Sequence, residues 1–116
     1  MTGASRQLPA GFAELQRFTG LWAGETTNAR IAARSSSDMP TIREFYDAAV
    51  PRLAEALAYC AQFPLLEMPA EAANLYRLML GLAQATIAVE IHGQPRAPGT
   101  PWPNSIVLEQ GAVPFG

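Results

Sequence analysis

The stretch PAEAANLYRLMLGLAQATIAVEIHG, residues 69–93, decides the fold. Its apolar positions recur every three to four residues, the period of an α-helix. Pro69 suits a first helical position. Gly93, with Pro95 beyond it, supplies a left-handed stop followed by a helix breaker. The spacing therefore predicts a helix from about 69 to 91. On a helical wheel Ala72, Leu75, Tyr76, Met79, Leu82 and Val89 share one face, which Leu78 widens on one side and Leu80 and Ile87 on the other. The apolar arc covers roughly 200°, twice the ~100° stripe of a helix with one wet face. So wide an arc needs cover, either from the chain's own N-terminal segment and tail or from a second chain. Gly81, Ala85 and Ala88 lie near the remaining face, and small residues there permit close approach.

Working backward, FPLLEMP (residues 63–69) is a short connection, so the preceding helix must be an antiparallel neighbour. That helix is expected over about 41–63. Thr41 followed by Glu44 has the pattern of a capping box. Ile42, Phe45, Tyr46, Ala49, Leu53, Ala56, Leu57 and Cys60 form one stripe. Pro51 interrupts the backbone bonds but not the phase of the stripe, which predicts a kink near Ala49–Val50. Further upstream, Phe12, Leu15, Phe18 and Trp22 predict a short amphipathic helix with Pro9 in its first turn. TTNARIAARSSS (residues 26–37) predicts a second, capped by Thr26 or Thr27 with Ile31 inward, and SSSDMP (residues 35–40) a loop.

Forward of Gly93 the composition changes. Pro95, Pro98, Pro101, Pro103 and Pro114 make the tail irregular. Trp102 and Phe115 within it suggest that it packs on something. The expected architecture is thus all-α: an antiparallel hairpin of helices 41–63 and 69–91, one or two short N-terminal helices, and a Pro-rich C-terminal tail. Residues 1–93 form the helical domain, and residues 94–116 a tail packed on that domain or on a partner. A homodimeric bundle is the preferred way to cover the wide arc, since small helical hairpins often pair to complete a core.

The inventory excludes several function classes. A net charge of −2 and arginines scattered from Arg6 to Arg96 argue against a nucleic-acid surface. All eight basic residues are arginine, a composition of bacterial type that fits a GC-rich genome; bidentate recognition of carboxylate or phosphate is the functional alternative. One His and one Cys, without a carboxylate cluster, do not make a metal site. No cofactor motif or phosphate-binding glycine loop occurs. The apolar run of residues 75–91 is broken by Arg77, Gln84 and Glu90, so it reads as a buried helix and not a membrane span. No signal-peptide pattern opens the chain, and the lone Cys60 fits a reducing cytoplasm.

Candidate site residues centre on Glu90. It projects from the middle of the apolar face, near a helix C-terminus whose dipole disfavours a carboxylate. If buried, it needs a cation or a proton. Antiparallel packing brings Arg43 and Tyr46 toward it. Arg96 is a local alternative partner, and Trp102 a further wall. His92 falls on the polar side, where a protonated imidazole suits the helix end. These patterns favour a non-enzymatic interaction or accessory protein that acts as a homo-oligomer, with a possible protein partner through the tail. The alternative is a small-molecule-binding protein or small enzyme with a pocket around Glu90.

Overall fold

The computed structural model describes residues 6–96 and 115. Trp102 and most of the Pro-rich tail therefore lie outside the described residues. Those that are described are helical, with no strand among them. A 3-10 turn at Ala13–Phe18 runs into a single helical turn, α1 (Thr19–Trp22). Then follow α2 (Thr27–Ser36), α3 (Met39–Ala49), α4 (Leu53–Cys60) and the long α5 (Ala70–Thr86), which ends in a π-helical turn at Ile87–His92. No described helix is long and apolar enough to cross a membrane.

Each start and stop has a local cause. Thr26 caps α2, its hydroxyl accepting from the Ala29 amide at 3.1 Å. The capping box expected at Thr41 and Glu44 does not form. α3 begins two residues earlier, because the Asp38 carboxylate accepts the Thr41 amide at 3.0 Å and Pro40 occupies the first turn. Glu44 instead pairs with Arg17. The loop expected over SSSDMP shrinks to Ser37 and Asp38. At Pro51 the chain makes one 3-10 turn, Val50–Arg52, between α3 and α4. The stripe resumes beyond it at Ala56 and Cys60, which are buried like Ala49, but Leu57, expected on the same stripe, is exposed at its edge. Gly93 adopts the left-handed conformation that ends the last helix, φ 68°.

α5 is the axis of the molecule. It lies along both α3 and α4, and α1 and α2 cover its other flanks. Its start meets the end of α4, where the Cys60 thiol points at the Ala72 carbonyl, 3.7 Å away. Its far end meets α3. The hairpin is therefore antiparallel, as the short connection requires. Leu75, Leu78 and Leu82 are fully buried against Leu15, Trp22, Ile42 and Phe45. Trp22 stacks on Phe45 with centroids 4.9 Å apart and planes 14° from parallel, and Phe18 tilts onto the same ring. The wide apolar arc is thus covered by the chain's own elements, and covering it requires no second copy.

Candidate functional site

Glu90 was expected to point inward, but its carboxylate is exposed. The buried face of α5 is centred on Leu75, Leu78, Leu82 and Ala85, and Ala83, on the same side of the wheel as Glu90, is already exposed before the π turn begins. Glu90 lies at the rim of that turn, in which Ala88 is the buried residue. There it accepts a hydrogen bond from the Tyr46 hydroxyl. That bond, more than any other influence, holds the phenol above the ordinary tyrosine range. Arg43 is exposed one residue-triplet away on α3 and acts on Tyr46 only through its charge. Arg96, the other expected partner, instead donates to the Ser35 carbonyl at 2.8 Å. Of the sequence candidates, then, Tyr46 and Glu90 come together, Arg43 lies beside them, Arg96 faces α2, and Trp102 is outside the described residues.

The seam between α2 and α5 holds a group that the sequence did not single out. Ile31 was expected to face inward; it is half-buried, and its neighbour Arg30 goes into the interior, only 4% exposed. The Arg30 guanidinium donates to the Gly24 carbonyl at 2.7 Å, the Thr27 hydroxyl at 3.3 Å and the Phe115 carbonyl at 2.6 Å. All three acceptors are uncharged. Burial lowers its affinity for the proton, and the like charge of Arg77 lowers it further. The Phe115 ring is buried edge-on against Tyr76, with centroids 4.8 Å apart, and the Arg77 guanidinium lies 5.3 Å from its centroid.

Along the same seam the Arg34 guanidinium lies 3.4 Å from Nδ1 of His92. Arg34 is also shifted downward by burial. The ion pairs of the described residues use Arg6, Arg17 and Arg52. Arg30, Arg34, Arg77 and Arg96 make none. Half of the arginines thus gather on the α2–α5 side of the fold without an ion pair among the described residues. The sequence hid this, since Arg30 and Arg77 meet only through tertiary packing.

A third feature is apolar. Where α4 turns into α5, Leu57, Leu65 and Leu66 are exposed by 42%, 51% and 76%. Leu57 and Leu65 border a shallow cleft of about 220 Å³ that reaches Cys60, Met68 and Tyr76. Burial raises the Cys60 thiol pKa, which suits a packing role and not a nucleophile. Among the described residues no group of three His, Cys, Asp or Glu side chains is placed to hold a metal ion. No family model, curated protein or solved structure matches this chain.

Proposed function

We propose that this is a non-enzymatic interaction protein that assembles through the apolar corner between α4 and α5, with a second copy of the chain as its partner. The observation that carries the reading is the exposure of Leu57, Leu65 and Leu66 on one corner, the first two bordering a cleft. Fully burying a leucine is worth about 1.5–3 kcal/mol, so three on one corner form a strong adhesive. A twofold axis makes such a corner self-complementary, the Leu66 of each protomer entering the other's cleft. A cytoplasmic setting belongs to the same proposal and rests on the lone, buried Cys60. The competing reading, a pocket around Glu90, has the Tyr46–Glu90 bond in its favour and the exposure of the carboxylate against it.

Sedimentation equilibrium at micromolar concentration tests the proposal. The expected mass is twice that of the 12.4 kDa chain. Leu66→Glu is expected to give a monomer with the helical circular-dichroism spectrum retained. A wild-type protein that stays monomeric, or a Leu66→Glu dimer as tight as wild type, refutes assembly through this corner.

A further inference from the structure

We propose that Phe115 is a positioning residue for assembly: by packing on Tyr76 it fixes one wall of the cleft into which a second copy of the chain docks. The inference rests on the apolar corner proposed above as the dimer surface. It adds that this surface is set from outside itself, by a residue held at the α2–α5 seam.

Tyr76 is where the two regions meet. Its half-buried side chain lines the cleft of about 220 Å³ together with Leu57, Leu65 and Met68. The Phe115 ring packs against it, with centroids 4.8 Å apart and planes 77° from parallel. Phe115 is anchored in turn, since the buried Arg30 guanidinium donates to its carbonyl at 2.6 Å. A chain of direct contacts thus runs from α2 through residue 115 to the cleft. Arg77 repeats the arrangement one residue further along α5. Its guanidinium lies 5.3 Å from the Phe115 centroid, and it lines a second cleft, of about 400 Å³, with Leu65, Leu66 and Asn74. One ring therefore touches a wall residue of each cleft beside the exposed leucines.

The physical consequence is preorganisation. A helical tyrosine beside an open cleft can choose between staggered χ1 wells. A second ring packed edge-on against it selects one of them. A surface whose side chains are already ordered loses less entropy when a partner arrives, so it binds more tightly through the same contacts. The coupling is reciprocal: seating a second copy against Tyr76 must hold Phe115 more firmly in place.

Sedimentation equilibrium of the full chain tests the proposal, at a temperature where circular dichroism shows each protein fully folded. Phe115→Ala is expected to raise the dimer dissociation constant by about threefold to tenfold, the worth of one side chain that must now be ordered on association. Phe115→Tyr keeps the ring and should leave the constant within about twofold of wild type. In a Tyr76→Leu background the wall stays apolar but offers no ring to Phe115, so adding Phe115→Ala should change the constant by less than about twofold. If Phe115→Ala does not fold, Phe115→Leu keeps the apolar bulk without the ring, and the same differences are expected. A wild-type protein that stays monomeric overturns the corner dimer and this inference with it. A wild-type dimer that Phe115→Ala leaves equally tight or tighter, or an equal loosening with and without Tyr76, overturns the positioning role alone.

Discussion

At Gly81 a hydrogen atom stands where any other residue carries a carbon. The Trp22 backbone crosses α5 there so closely that a Cβ on residue 81 would lie 2.1 Å from the Trp22 carbonyl oxygen. The obstacle is backbone, which cannot rotate away as a side-chain end can. Alanine is the better helix former by about 1 kcal/mol. The collision outweighs that gain, because overpacking a fixed site costs typically 1–3 kcal/mol and a backbone clash lies at the upper end. Gly81→Ala should therefore lower the stability measured by urea unfolding. An unchanged or higher midpoint would mean that α1 can retreat from α5 at little cost. The small residues Gly81, Ala85 and Ala88 announced a close approach in the sequence. They did not announce that the approaching group would be the end of a one-turn helix.

Among the elements, α3 shows how a start signal can be misread. Thr41 and Glu44 have the right spacing for a reciprocal cap, but Asp38 lies three residues before Thr41 and accepts its amide. The earlier cap wins because Pro40 fits the first turn that it opens. The bonds from Thr41 hold the Asp38 carboxyl below the usual carboxylate range. A carboxyl whose folded pKa is depressed adds stability above its unfolded pKa and loses it as pH falls through the folded value. Asp38→Asn keeps an acceptor at the cap and removes the charge. Its stability should decline less than that of wild type between pH 5 and pH 2, as followed by thermal melts across that range. Identical acid profiles would remove Asp38 from the acid sensitivity of the fold.

The helices themselves were legible because periodicity, capping side chains and prolines act locally. The antiparallel hairpin followed from the short connection of residues 63–69. The in-phase stripe across Pro51 correctly implied continuity. What could not be read locally was which side of the wide apolar arc the neighbours would cover: they cover Leu75, Leu78, Leu82 and Ala85, and leave the side of Ala83 and Glu90 exposed. The switch to π winding at Ile87 was equally silent, since no proline or glycine marks it. The arginine seam was hidden for a different reason: Arg30 sits on an otherwise polar short helix, and its company comes from α5 and residue 115.

At the scale of the molecule, charge and apolar surface are sorted to different sides. Arg6, Arg17 and Arg52 meet acidic residues on the surface, where each pair is worth little. Among the described residues the arginines of the α2–α5 seam make no ion pair, and the turn between α4 and α5 exposes Leu57, Leu65 and Leu66.

The Arg30–Phe115 bond joins positions 85 residues apart. On a folding trajectory such a contact closes late, since the chain must lose the freedom of a long loop before the bond rewards it. The neighbouring contacts of α3, α4 and α5 span far shorter loops and can form first. An interaction absent from the transition state leaves the rate of folding alone and slows escape from the native state. In stopped-flow experiments Phe115→Ala should accordingly leave the refolding limb of the chevron unmoved and raise the unfolding limb throughout. A slower refolding limb would instead place residue 115 in the folding nucleus. Phe115 behaves as a clasp, and what it sets is the lifetime of the folded chain, not the time needed to reach it.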